Sequence, residues 1–212
     1  MSATGTPSEY HRRLPIGERM SAEPLRDDPF FPFEGRGQTR ELDAPVIPEP
    51  PRAGEPGGAP CPNCPAPGST NGSKADELVI WQDAQWSVLA GMNPIGLPMV
   101  ALLVPREHYL LDTLPAELTA TLGPMLQRVS TAIRRIGGVG RTHFNRFGDG
   151  SEHFHVWFFA RPLGMMQLRG PSLAIWDGLL PRLPDPEFRA NARTVASALA
   201  EYGGEPHGIA LP

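Results

Sequence analysis

The chain has 212 residues, a formal net charge of -4, and nineteen basic against twenty-three acidic side chains, of which only Lys74 is lysine. That length fits one domain of about 100 to 150 residues plus tails, with a core large enough to need no disulfide staples. The basic residues are scattered without a like-charge block, which excludes the footprint of a nucleic-acid polymer or an anionic membrane surface.

The longest apolar run, Met99 to Val104, is far short of the roughly 20 residues of a membrane span, and residues 1 to 30 hold no signal-peptide apolar stretch. A cytoplasmic protein is expected. Residues 1–58 are rich in Pro and Gly, as in Pro48-Glu49-Pro50-Pro51, and read as a disordered arm. Phe30, Phe31 and Phe33 are its candidate anchors, should it dock. Cys61 and Cys64 are the only cysteines and form a C-x2-C among prolines and glycines. A thioredoxin-type site would need a strand and a helix on either side, so metal is the better reading. Zinc prefers four nitrogen or sulfur ligands, so two cysteines oblige two partners, and His108, His143, His153 and His155 are the histidines away from the termini.

Structure is expected from near Asp76. Leu78–Trp81 and Trp86–Ala90 read as two strands around a turn at Asp83-Ala84, and Met99–Val104 as a third, buried on both sides. Leu118, Leu122, Met125, Leu126, Val129, Ile133 and Ile136 then share one helical stripe, with Pro115 as a start signal and Gly137-Gly138 as a stop. Gly137 to Thr142 lacks the lysine and following helix of a phosphate-binding P-loop and reads as a turn. Arg141–Phe147 and His153–Ala160 read as strands four and five, joined by Gly148-Asp149-Gly150-Ser151.

Strand alternation would set His153, His155 and Trp157 on one face and Phe154, Val156 and Phe158 on the other, under the helix. The two histidines would stand roughly 6 to 7 Å apart on a face open to ligand, able to hold a metal, attack phosphorus or move protons. His143 would share a face with Asn145 as a packed strand residue or a pocket liner. Ser151 lacks the G-x-S-x-G elbow of a serine hydrolase. A loop-rich stretch through Trp176 and a helix from Asp185 to Tyr202 complete the chain. The fold class is α+β: a five-stranded antiparallel sheet with one long helix packed on it, plus a C-terminal helix. The domain would occupy residues 59–165 and a C-terminal extension residues 166–212.

The order of hairpin, buried strand ending in Val104-Pro105-Arg106-Glu107-His108, long helix, Asn-containing strand, Gly-rich loop, then His153-Phe154-His155 running into Arg161-Pro162 resembles the histidine triad (HIT) superfamily of nucleotide hydrolases and transferases. The resemblance covers Cys61 to Pro162. It implies a structural zinc on Cys61, Cys64, His108 and His153, and a nucleophilic His155 that attacks an α-phosphorus. It also implies nucleotide contacts from Asn145, Gly150, Ser151 and Trp157, a nucleotide or nucleotide conjugate as ligand, and self-association as a homodimer.

Two departures stand out. The loop is shorter than usual and lacks the common Gly-Gln, and Trp157 stands where hydrolases have a third histidine and transferases a glutamine. An indole can donate through one N–H but cannot accept. It would stack on a base or sugar, donate to a phosphate oxygen, or plug a site without turnover. The competing expectation is therefore a catalytically degenerate binding or scaffold module with a structural zinc. A third is a metal enzyme in which His155 joins the zinc site.

Overall fold

The computed structural model describes residues 14–21, 33, 41, 43–64, 76–91 and 96–207. Phe30 and Phe31 lie outside these. The chain forms two units, Met1–Pro51 and Arg52–Pro212. In the first, a turn joins Leu14 to Glu18, and Arg19 and Glu41 form an exposed ion pair at 3.5 Å.

The second unit holds a six-stranded sheet in the order β4-β5-β3-β2-β1-β6, antiparallel throughout. β1 (Val79–Gln82) and β2 (Trp86–Ala90) are a hairpin whose turn is closed by Asp83, with Oδ1 accepting from the backbone N–H groups of Gln85 and Trp86 at 2.8 and 2.7 Å. β3 (Val100–Pro105) has no polar break and is buried at every position. β4 (Val139–Asn145) forms one edge. β5 (Val156–Pro162) pairs with both β3 and β4.

Helix α1 (Ala116–Ile133) follows Pro115 and turns its buried stripe of Leu118, Met125, Val129 and Ile133 onto the sheet. Thr121 Oγ1 accepts from the Trp86 indole at 3.0 Å, tying helix to strand. The expected underside of Phe154, Val156 and Phe158 packs in the same core as this stripe.

Five expectations change. A sixth strand, β6 (Glu205–Pro206), pairs with β1 because Gly203 and Gly204, both with positive φ, turn the chain back over Trp81. A Cβ on Gly204 would come within 2.6 Å of the Trp81 ring, so only glycine permits this approach. The stretch expected to be loop contains α2 (Leu173–Leu179). The C-terminal helix α3 (Asp185–Ala200) contributes Phe188, Val195, Ala196 and Leu199 to the main core, so it shares that core with α1 and the sheet. Residues 52–58, read from composition as part of a disordered arm, form a turn in which Arg52 binds Glu55 by backbone N–H (2.7 Å) and guanidinium (2.6 Å).

The fifth change matters most for function. β5 begins at Val156, so His153, Phe154 and His155 precede the strand. The expected open histidine face is closed as well: His153 and His155 are 1% and 8% exposed, and Leu89, Leu102 and Val104 on the sheet surface beneath Trp157 are buried. Among the described residues no helix is long and apolar enough to cross a membrane.

Candidate functional site

Cys61, Cys64, His108 and His153 converge. Their ligand atoms all lie within 4.8 Å of one another. The Sγ of Cys64 is 3.3 Å from Nδ1 of His108 and 3.4 Å from Nδ1 of His153, and the Sγ of Cys61 is 3.5 Å from the latter. Three separate stretches deliver these groups: the C-x2-C turn, the segment after β3, and the segment before β5.

The hydrogen bonds around the histidines set their tautomers. The Pro105 carbonyl, 3.0 Å from Nε2 of His153, can only accept, so Nε2 carries the proton and Nδ1 turns its lone pair toward the thiols. His108 repeats the pattern with a carboxylate, its Nε2 3.4 Å from Oε2 of Glu152. A ligating imidazole that gives its second N–H to a carbonyl or carboxylate is the usual support of a metal site. Burial pushes His153 down to about 4 against the opposing hydrogen bond to Pro105, with the neighbouring His108 and His155 adding to the shift, so it is neutral at physiological pH and could serve as a ligand. Burial, with Cys61 beside it, pushes the Cys64 thiol up to about 12. A metal entering here would displace that proton. Two soft sulfurs and two imidazoles in a closed cluster fit a tetrahedral ion, and these four residues could hold one.

The turn carrying the cysteines is strapped to the loop before His153. Arg52 donates to the Gly148 carbonyl at 2.8 Å. Ala53 donates to the Gly150 carbonyl at 3.4 Å and accepts from the Glu152 N–H at 2.9 Å. Gly54 follows with φ +95°, where a Cβ would lie 2.7 Å from Cε1 of His108. Among the expected phosphate contacts, Gly150 is exposed, and Ser151 is buried with Oγ lacking a hydrogen-bond partner.

His155 lies outside the four-residue cluster. Its Nδ1 donates to the His153 carbonyl at 2.8 Å, leaving Nε2 with the lone pair. Its ring stands edge-on to Trp157 at 6.3 Å, and Trp157 stacks on Phe159 at 6.1 Å. Asn145 is the register partner of Trp157. It also lines, with Leu111, Leu126, Phe144, Phe154 and Val156, a cavity of about 380 Å³. His143 is partly buried, Nε2 without a partner, and burial, with Arg161 nearby, lowers its pKa.

Sequence reasoning missed Glu152, Gly54 and Arg52. A carboxylate flanking a candidate ligand histidine was a signal for Glu152, whereas nothing local marks Gly54 or Arg52, whose partners lie far along the chain.

Fold and site together define an α+β domain with a Cys2His2 cluster able to bind metal and a separate buried histidine beside it. No protein-family model matches the chain, and no curated protein matches it significantly. In structure it is similar to histidine triad proteins. One from Sinorhizobium meliloti is 18% identical over 62% of this chain and 98% of that one, with a TM-score of 0.47. Another from Bradyrhizobium japonicum is 25% identical over 62% and 96%, with a TM-score of 0.45. A zinc-bound family member from Mycobacterium smegmatis is 22% identical over 59% and 85%, with a TM-score of 0.44.

Proposed function

We propose that this chain is a divergent member of the histidine triad superfamily, a nucleotide-binding protein in which His155 attacks the α-phosphorus of a nucleotide or nucleotide conjugate. The observation that carries this reading is the bond from Nδ1–H of His155 to the His153 carbonyl. It leaves Nε2 as a neutral nucleophile and stabilises the positive charge that develops on the ring during attack. An Nε2–P bond would form as the bond from phosphorus to the leaving group breaks, its electron pair departing with that group. Water or another acceptor would then displace His155 from phosphorus.

Trp157 can offer a hydrogen bond but no acid to the leaving group. Groups that depart as stabilised phosphate anions therefore suit the site better than amines. Asn145, Gly150 and Ser151 are the proposed nucleotide contacts. Cys61, Cys64, His108 and His153 would hold zinc, whose contribution is to cross-link the fold, since four protein ligands leave no open position. The reading carries a cytoplasmic location, where these thiols stay reduced, and a homodimer, which light scattering checks.

The test is turnover of dinucleoside polyphosphates, nucleotide sugars and nucleoside phosphoramidates by wild type and His155→Asn. Turnover lost in the variant supports the nucleophile. Equal turnover in both would remove His155 from the mechanism. A second reading, a binding module without turnover, is favoured by the burial of His155 and of the sheet surface around Trp157; it expects saturable nucleotide binding, no turnover, and indifference to His155→Asn.

A further inference from the structure

Glu152 touches both halves of the site. Its carboxylate lies 3.4 Å from Nε2 of His108, whose other nitrogen faces Cys64. Its backbone N–H donates to the Ala53 carbonyl at 2.9 Å, and Ala53 in turn donates to the Gly150 carbonyl at 3.4 Å. It is also the residue through which the Gly148–Ser151 loop enters His153, a second member of the cluster. The Glu152 side chain is 16% exposed and that of His108 30%, so the contact is partly shielded from water.

We propose that Glu152 is a positioning residue that couples the metal site to the Gly148–Ser151 loop, so that an ion held by Cys61, Cys64, His108 and His153 fixes the loop's conformation. The inference rests on the metal reading above and adds to it a residue and a consequence. Nδ1 of His108 would face an ion while Nε2, fixed across the same rigid ring, faces Glu152, so the position of one nitrogen sets that of the other. The Glu152 carboxylate follows Nε2, and its own backbone carries that position to Ala53 and the loop. Arg52 is the second connector, binding the Gly148 carbonyl at 2.8 Å while Glu55 holds its guanidinium. With the ion removed, the ring, the carboxylate and the loop lose a shared anchor. A loop that offers backbone N–H groups to phosphate acts only if those groups are held in register, so metal occupancy becomes a condition for ligand binding at a site that contains no metal.

The experiment uses the full-length wild type, Glu152→Gln and Glu152→Ala, with folding checked by circular dichroism. Zinc affinity is measured by chelator competition, cobalt substitution reports the ligand field, and amide exchange is followed across residues 148–152 with and without zinc. Glu152→Ala is expected to weaken zinc binding about 10- to 100-fold, and Glu152→Gln, which keeps an acceptor oxygen, less. In wild type, zinc removal should speed exchange across 148–152 at least about tenfold while the sheet amides hold; in Glu152→Ala the loop should exchange fast whether or not zinc is present. Wild-type protein that binds zinc, with affinity unchanged in Glu152→Ala or loop exchange indifferent to zinc, overturns the coupling and leaves the metal reading standing. Wild-type protein that binds no zinc overturns both.

Discussion

Gly54→Ala tests how closely the turn packs on the candidate metal site. Gly54 has φ +95°, and an added Cβ would sit 2.7 Å from Cε1 of His108 and 3.4 Å from Cβ of Cys61. Left-handed backbone costs an L-residue about 1–2 kcal/mol, and forcing a methyl group into a packed site adds about 1–3 kcal/mol. Together these give about 2–5 kcal/mol, or a Tm lowered by roughly 5–15 °C for a domain of this size. The clash falls on the ring of a proposed ligand, so zinc affinity should drop by about tenfold or more as His108 is displaced. Thermal denaturation with saturating zinc and after chelation, together with chelator competition, measures both effects. Gly150→Ala is the control, because a Cβ there meets nothing within 4 Å, and its stability should stay within about 0.5 kcal/mol of wild type. Wild-type Tm and zinc affinity in Gly54→Ala would refute the reasoning.

Cys61→Ser should lose its bound zinc and with it the Tm increase that zinc gives the wild type; unchanged zinc content by elemental analysis would remove Cys61 from the ligand set. Asp177 Oδ1 accepts from the N–H groups of Gly96 and Leu97 at 2.9 and 3.0 Å, so Asp177→Ala strands two donors and should cost about 2–4 kcal/mol in urea denaturation. His143 is held below its ordinary value by burial and then by Arg161. The unfolded chain therefore takes up that proton more readily, and the stability His143 contributes is full above about pH 6.5 and lost as pH falls below it. Denaturation midpoints near pH 7.5 and 5.5 should differ less in His143→Gln than in wild type; an equal difference in both would remove His143 from the acid response.

The fold was readable where one physical signal dominated. The unbroken apolar run of β3 and the stripe from Leu118 to Ile133 each admit one element, and both formed with ends shifted by a few residues. The four-residue cluster was legible from the C-x2-C and the resemblance, and the structure brings those four together. What failed was the expectation that strand pairing extends through His153 and His155 and leaves their face open. The Phe154 N–H between them donates to the Tyr109 carbonyl and the two imidazoles bond to the Pro105 and His153 carbonyls, and a strand pattern carries no sign of such partners. β6 and the ordered Arg52 turn were missed for a related reason. Each depends on one close approach, Gly204 over Trp81 or Arg52 onto the Gly148 carbonyl, between residues far apart in sequence.

The cluster joins positions 44 and 89 residues apart, Cys64 to His108 and Cys64 to His153. A link closing a loop of such length removes on the order of 4 kcal/mol of freedom from the unfolded chain by the reasoning applied to disulfides. An ion held here would do this reversibly, and a chelator, not a reductant, would undo it. The endurance of this fold would then track the supply of metal around it, and a starved chain would open first where its three strands of sequence meet.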